Sequence, residues 1–385
     1  MKTPSLALLA AVLLPLAAAA APDTLRLVNV VYRHGTRTPI EAYPTDPNIG
    51  AWPQGDGQLT NEGKQNQLEL GRFLRSRYDG FLPELYHMNY THIEASDVDR
   101  CLMSAQANLA GLFPPQGQDV WDAELAWQPI PVHTVPFEDD YKFKSYKICD
   151  AYNAEHDRVY SSPQVEAVNA EYAGLYQYLT ENSGDLVADV THVQYLYDTL
   201  RIESTHNLTT PEWALAVPPG YDAPAFPDLM EPLGNLDFAL LGATPLQRRL
   251  GGGTLLKDIL KNMKASVYGY LSPPNRKLFA YSGHDTNVGC LLTTLMVYNG
   301  VMPPLASAVL VELHAEPEVG ATVQLFYRND TTAEPYPLQL PGCQLSCPWD
   351  TFVQLTADVV PDDIEAECAA VPEGYVPRAN KWRRD

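Results

Sequence analysis

Two arginines flank a histidine in the stretch Arg33-His34-Gly35-Thr36-Arg37-Thr38-Pro39. Guanidinium groups present planar forks of N–H donors that suit phosphate or carboxylate oxygens. The spacing therefore predicts a site that gathers an oxyanion and holds it against the imidazole of His34. Gly35, which lacks a Cβ, would permit that close approach. Taken residue by residue, the stretch is equally compatible with a basic strand-to-loop corner that carries a surface histidine.

A strand must deliver this motif. The run from Leu25 to Val30 is apolar and β-branched, which predicts a short buried strand ending at the motif. In α/β proteins, ligands bind at such strand ends. A second strand is predicted from Thr91 to Ser96, followed by a helix from Cys101 to Leu109. Arg100 then lies at a strand-to-helix junction, where an ordinary salt bridge to a neighbouring aspartate is the alternative to a role in the site.

A third strand is predicted from Lys277 to Gly283, and it leads into His284-Asp285 and an amphipathic helix. Backbone N–H groups and the helix dipole favour a bound anion at that position. A lone His-Asp pair there would more often be a helix cap. Two further strands are predicted from Ser307 to Leu313 and from Ala321 to Arg328.

The middle of the chain differs from the rest in composition. It is rich in proline and aromatic residues, and helix-like pieces run from Val165 to Leu179 and from Asp189 to Leu200. We therefore expect an α/β core formed by residues 22–115 and 242–385, and a mainly helical cap formed by residues 116–241. Near the start of the core, Thr60 is expected to cap a helix with an apolar face that includes Leu68 and Leu74.

Residues 1–21 have the features of a secretory signal peptide: a positive Lys2, an apolar stretch and a run of small residues. A membrane anchor, the alternative, needs about 20 apolar residues. We expect a mature protein without a membrane span, either secreted or in the lumen of the secretory and lysosomal route. The net charge of −21 argues against nucleic acid and anionic membranes as partners.

Two other features of the sequence, its sequons and its cysteines, are interpreted on the expectation that the chain is exported. Three sequons make candidate glycan sites at Asn89, Asn207 and Asn329. Six cysteines in an exported chain suggest disulfides, and Cys343 and Cys347 are spaced for a small closed loop.

The string Arg-His-Gly-x-Arg-x-Pro, from Arg33 to Pro39, resembles the signature of the histidine acid phosphatases, a branch of the phosphohistidine superfamily. His284-Asp285, far downstream, matches the second half of that signature. The string from Ser96 to Ala105, followed by Leu-Phe-Pro-Pro at residues 112–115, resembles the animal prostatic and lysosomal members. The resemblance covers nearly the whole chain, from Leu25 to Cys368.

This resemblance implies an α/β fold like that of phosphoglycerate mutase, with a mixed central sheet flanked by helices and a smaller helical cap inserted. It implies an acid phosphatase that hydrolyses phosphate monoesters through a covalent phosphohistidine. His34 would attack phosphorus, and Asp285 would protonate the leaving group and then activate water. The phosphate oxygens would be bound by four side chains: Arg33, Arg37, Arg100 and His284. No metal or cofactor is expected, because arginines supply the positive charge.

The resemblance also implies disulfides between Cys149 and Cys368 and between Cys343 and Cys347. Cys101 and Cys290 would then be buried thiols or a new bridge, with thiols favoured. A homodimer is implied as well, and Lys147 is a candidate for substrate contact at the mouth of the site.

Because Asp285 must hold a proton in the first step, activity is expected to be highest at about pH 4–6. Two alternative functions remain open. A phytase shares both motifs, although phytases tend to line the mouth with lysine and arginine, and this insertion has few. A catalytically inactive secreted binding protein is disfavoured because every residue of the signature is present. Proteins, nucleotides, lipids and small esters all remain candidate substrates.

Overall fold

A mixed seven-stranded sheet forms the centre of the protein within residues 22–376, the part of the chain that this computed structural model describes. The strands are β1 (Leu25–Arg33), β2 (Thr91–Ala95), β3 (Leu278–Gly283), β4 (Ala308–Glu316), β5 (Gly320–Arg328), β6 (Tyr336–Leu338) and β7 (Cys347–Pro348). Their order is β2-β3-β1-β4-β5-β6, with β7 also paired to β5. Strands β2, β3 and β1 run parallel to one another. Strand β4 pairs antiparallel with β1, β5 with β4, and both β6 and β7 with β5. The predicted α/β class with a mixed sheet is confirmed.

The helices lie between and after these strands. They are α1 (Asn61–Arg77), α2 (Asp99–Leu112), α3 (Ser145–Ile148), α4 (Asp150–Tyr160), α5 (Pro163–Glu171), α6 (Ala173–Ser183), α7 (Val190–Thr205), α8 (Glu212–Leu215), α9 (Met230–Leu240), α10 (Pro245–Gly251), α11 (Gly253–Val267), α12 (Asp285–Thr294), α13 (Trp349–Thr356) and α14 (Ile364–Ala369). The predicted signal peptide, residues 1–21, and the polar residues 381–385 lie outside the described residues.

Alternation along β1 explains the layered core. Leu27 and Val31 pack against α11 and α12 on one face of the sheet. Val28 and Val30 pack against α1 and α2 on the other face. Neighbouring side chains of a strand point to opposite faces, so one apolar run can serve both layers. Full burial of each such side chain contributes about 1.5–3 kcal/mol.

A separate apolar cluster holds the helical segment together. It is centred on α6, α7 and α9 and includes Leu179, Val193 and Met230. The single helix predicted from Val165 to Leu179 is wrong, because the structure has α5 and α6 there. They are divided at Tyr172, whose ψ of 11° departs from the helical range.

A buried pair of carboxyl groups joins α7 to the loop that follows β1. Glu203 is fully buried, and Asp46 is nearly so. Burial raises the pKa of Glu203 to about 8, and the neighbouring charge of Asp46 adds to the effect. Glu203 therefore holds a proton under conditions in which an exposed glutamate would have lost it.

Two disulfides are present in the structure, Cys149–Cys368 and Cys343–Cys347, at the positions that the resemblance implies. Cys101 and Cys290 are buried free thiols. No helix among residues 22–376 combines the length and apolar character needed to cross a membrane.

Candidate active site

Three strand ends bring the predicted residues to one edge of the sheet. β1 and β3 are parallel neighbours, with Arg33 opposite Gly283. His34 and His284 therefore follow adjacent strand ends, and their ring centroids lie 5.8 Å apart. β2 pairs with the other side of β3, and α2 follows it with Arg100 as its second residue. The predicted positions of Arg100 and of His284 at strand-to-helix junctions are confirmed.

The environment of His34 fixes both its charge and its tautomer. Its Nδ1 lies 2.8 Å from the carbonyl oxygen of Gly35. A carbonyl oxygen can only accept, so Nδ1 carries the proton and Nε2 retains a free lone pair. Burial lowers the pKa of His34 well below its ordinary value, as do three nearby charges, those of Arg100, Arg33 and Arg37. The ring is therefore neutral and suited to nucleophilic attack.

The glycine of the motif has a different purpose from the one expected. A Cβ on Gly35 would lie 2.2 Å from the carbonyl oxygen of Gly63 in the first turn of α1. A Cβ on Gly63 would in turn lie 2.0 Å from the carbonyl oxygen of Thr36. Thr60 caps α1 as predicted, since its hydroxyl accepts from the Gly63 N–H. The two glycines thus let the motif loop and α1 pack backbone to backbone.

Arg33 lies beneath the site and is paired with Asp285. Its guanidinium is fully buried, and Nη1 donates to the carbonyl oxygen of Pro303 at 2.6 Å. Nη2 lies 2.6 Å from Oδ2 of Asp285. Asp285 begins α12, and its Oδ1 accepts from the Thr286 N–H at 2.8 Å. The carboxyl group thus stands at a helix N-terminus with part of its surface exposed.

His284 has a partner on each ring nitrogen. Nη2 of Arg100 lies 3.4 Å from Nδ1, and since arginine only donates, Nδ1 accepts. Nε2 then carries the proton and faces Oγ of Ser96 at 3.1 Å. Burial, followed by the charges of Lys144 and Arg100, lowers the pKa of His284 well below its ordinary value. His284 is therefore a neutral neighbour of the arginine cluster.

The guanidinium groups of Arg33, Arg37 and Arg100 retain unpaired donors. The Nε atom of each is buried and has no hydrogen-bond partner among residues 22–376. Buried donors are normally paired, because leaving one unpaired costs about 1–3 kcal/mol. Arg37 and Arg100 also line one cavity with His34, which favours an anionic ligand there.

One cavity of about 600 Å³ joins most of these residues. Five of the six predicted site residues line it, namely His34, Arg37, Arg100, His284 and Asp285, whereas Arg33 does not. Further from His34 the lining is aromatic, with Tyr152, His156 and Tyr160 among its rings. Lys147 also lines the cavity, at the position considered for substrate contact.

The sequence profile of the histidine phosphatase superfamily (branch 2) matches residues 24–328. The chain belongs to this superfamily. Prostatic acid phosphatase of Bos taurus is 40% identical over 355 residues, which cover 90% of this chain and 88% of the relative. Lysosomal acid phosphatase of Xenopus laevis is 39% identical over 352 residues, which cover 89% of this chain and 78% of the relative. The predicted resemblance is confirmed.

The histidine phosphatase fold is also found among solved structures. The apo form of Hafnia alvei phytase matches with a TM-score of 0.66 and 19% identity, covering 90% of this chain and 99% of that one. At that identity the match shows the fold alone.

Sequence reasoning missed the side chains that position His284 and Arg37. Oδ1 of Asn287 accepts from the His284 N–H, and Nδ2 donates to the carbonyl oxygen of Phe143. The position of Asn287 in the first turn of α12 was a usable signal. Asp198, which pairs with Arg37, left no comparable signal in the sequence.

Proposed function

We propose that this protein is an acid phosphatase that hydrolyses phosphate monoesters through a covalent phosphohistidine. The observation that carries the proposal is a neutral His34 with a free Nε2, in a cavity that also holds Asp285 and two arginines. The lowered pKa of His34 keeps the nucleophile unprotonated in acid, where a carboxyl group can still hold a proton. The names of the relatives agree with this chemistry.

In the first step, Nε2 of His34 attacks phosphorus while the bond to the leaving oxygen breaks. Asp285 gives its proton to that oxygen. In the second step, Asp285 takes a proton from water, which attacks phosphorus and releases phosphate with the His34 lone pair restored. The negative charge of the transferring group would be stabilised by four side chains: Arg33, Arg37, Arg100 and His284.

The direct test is to trap the intermediate. Wild-type protein is mixed with a radiolabelled aryl phosphate at about pH 5 and quenched without acid. We expect acid-labile, base-stable label on the protein, none on His34→Ala, and normal label on the exposed control His87→Ala. Asp285→Asn should accumulate label, because an aryl leaving group needs little protonation whereas attack by water still needs a base. Label on His34→Ala would exclude His34 as the nucleophile.

A phytase is the less favoured alternative because the outer cavity is acidic. Apart from the residues around His34, five carboxylates line it: Glu41, Asp157, Asp185, Asp189 and Asp237. Lys147 is the lysine that lines it. Like charges about 4 Å apart repel by roughly 1–4 kcal/mol near a protein surface, so a polyphosphate is disfavoured. We expect kcat/KM for inositol hexakisphosphate to fall well below that for an aryl phosphate, and the reverse ranking would favour the phytase.

An inactive secreted binding protein is the other alternative. The intact set of site residues argues against it, since a binding protein would need no unprotonated nucleophile beside a carboxyl group. Absence of both label and turnover across several phosphate esters and pH values would favour it.

We also infer that the mature protein lies in the secretory and lysosomal route or outside the cell. Two disulfides fit an oxidising compartment. The glycans are proposed at Asn207, which is exposed, and at the partly exposed Asn89 and Asn329. Expression in a secreting cell, with N-terminal sequencing and deglycosylation of the product, tests both inferences.

Residues 116–241 are proposed as a cap over the core formed by residues 22–115 and 242–376. The support is that α6, α7 and α9 share their own apolar cluster, and that side chains of α7 and α9 line the outer cavity. A homodimer is proposed by analogy with the family, and light scattering of the purified protein tests it.

A further inference from the structure

An aspartate of the helical segment reaches into the phosphate site. Asp198 lies on α7, and its Oδ2 is 2.7 Å from Nη2 of Arg37. The two side chains are only 5% and 9% exposed, Arg37 being the more buried. The ion pair therefore links the motif loop after β1 to a helix that the chain reaches some 160 residues later.

Asp198 holds two guanidinium groups at once. Its Oδ1 lies 3.3 Å from Nη2 of Arg201, one turn further along α7. Burial would raise the pKa of Asp198, but the charges of Arg37, Arg201 and Arg33 lower it to about 2. The carboxylate thus stays ionised throughout the acid range in which the enzyme is expected to work, and the pair persists there.

The geometry leaves Arg37 little freedom. Nη2 is held by Asp198, and Nη1 donates to the carbonyl oxygen of Thr38 at 3.1 Å. A guanidinium fixed at both terminal nitrogens cannot rotate away from the cavity that it lines. Without Asp198, Arg37 would lose its carboxylate partner while its positive charge still opposes that of the buried Arg33.

The charges around the cavity also suit phosphate. The carboxylate of Asp198 lies among the positive charges of Arg37, Arg201 and Arg33. Because Asp285 must hold a proton for the first step, the guanidinium groups outnumber the ionised carboxylate of Asp198 when substrate binds. The resulting excess of positive charge favours a phosphoryl dianion.

We propose that Asp198 is a positioning residue that fixes the guanidinium of Arg37 for the phosphoryl group, so that the helical segment completes the anion site of the core. The inference rests on the proposed function, since it assigns Arg37 to phosphate. A purely structural ion pair, which would only tie α7 to the motif loop, is the competing explanation.

The variant Asp198→Asn distinguishes a positioning role from a purely structural ion pair, because it keeps the shape of the side chain and removes its charge. Two readouts are compared with wild type: KM and kcat for an aryl phosphate, and the Kd of inorganic phosphate by calorimetry. We expect both KM and Kd to rise by about 10- to 100-fold, the size of one charge-assisted hydrogen bond. The control on the same helix, Thr205→Val, lies outside the cavity lining and should leave both values unchanged.

A double-mutant cycle adds the decisive comparison. If Asp198 acts through Arg37, Asp198→Asn should cost nothing further in an Arg37→Ala background. A full additional loss in that background would overturn the inference. So would an unchanged phosphate Kd accompanied by a lower melting temperature, which is the signature of a structural role alone.

Two safeguards keep the test informative. Should Asp198→Asn fail to fold, Asp198→Glu keeps the charge and displaces it by one methylene, and the same direction of change in phosphate Kd is expected. Wild type that binds phosphate without turnover would contradict the proposed function, whereas a normal Kd for the Asp198 variants would contradict only this inference.

Discussion

Replacing Gly63 by alanine should strongly impair the enzyme although the residue does not line the cavity. In most helices this change is favourable, because glycine costs about 0.5–1 kcal/mol relative to alanine. Here the opposite is expected, since a Cβ at Gly63 would lie 2.0 Å from the carbonyl oxygen of Thr36 and 2.8 Å from its nitrogen. Both are backbone atoms, so no side-chain rotation relieves the clash.

The required displacement sets the size of the effect. Cβ atoms essentially never approach other heavy atoms within 3.0 Å, so α1 and the motif loop must separate by about 1 Å. Thr36 stands between Arg33-His34 and Arg37, and the loop therefore carries the whole motif with it. A displacement of about 1 Å at reacting groups can cost ~10²-fold, or about 2.7 kcal/mol of transition-state stabilisation. Overpacking should also lower the free energy of unfolding by about 1–3 kcal/mol.

The assay compares kcat/KM for an aryl phosphate, and thermal unfolding, in three proteins. These are the wild type, Gly63→Ala and the control Gly174→Ala. Gly174 also lies in the first turn of a helix, but its Cβ would meet the nearest atom, the hydroxyl of Tyr221, at an ordinary 3.6 Å. The control should keep full activity. If Gly63→Ala retains wild-type kcat/KM and stability, the backbone contact does not position the motif and the reasoning is refuted.

Two further predictions concern stability. The pKa of Glu203 is raised to about 8, so its contribution to the free energy of unfolding is full below the ordinary glutamate pKa and is lost as pH rises towards 8. Denaturant unfolding from about pH 5 to pH 8 should therefore show a steeper loss of stability in wild type than in Glu203→Gln. Parallel curves for the two proteins would contradict this prediction. Breaking Cys149–Cys368, which closes a span of 219 residues, should cost about 5 kcal/mol by loop entropy, against about 2 kcal/mol for the 4-residue span of Cys343–Cys347. Equal losses in the paired serine variants would contradict the loop-length argument.

The strands around the site could be predicted because each is a short apolar run that ends at chemically distinctive residues. β1 ends at His34, and β3 ends at His284. The resemblance to the family signature placed these residues in one site, and the structure brings them together because the ends of parallel strands meet at one edge of a sheet. The same reasoning could not tell that Arg33 lies under the cavity rather than in its wall, because that depends on which face of the sheet the guanidinium follows.

Contacts between distant segments were beyond sequence reasoning. Asp198 looks like any polar residue of an amphipathic helix, and only the packing of α7 against the motif loop gives it a partner. The helix that Thr60 caps was predicted, but the need for glycine at residue 63 was not, because its contact with Thr36 depends on how two backbones approach. The break at Tyr172 is a matter of one ψ angle in a sequence whose helical pattern continues through it.

The pairing of β1 with β3 joins distant parts of the chain and therefore affects how the protein folds. The two strands are hydrogen-bonded neighbours, yet the ribosome makes β1 near the start of the chain and β3 only after the whole helical segment. Until β3 docks, His34 has neither Asp285 nor the strand edge that supports it. Such non-local pairing is slow, because a long loop must close before any contact rewards it. A nascent or truncated chain that ends before α12 should therefore be inert towards cellular phosphate esters, and activity should emerge late and all at once.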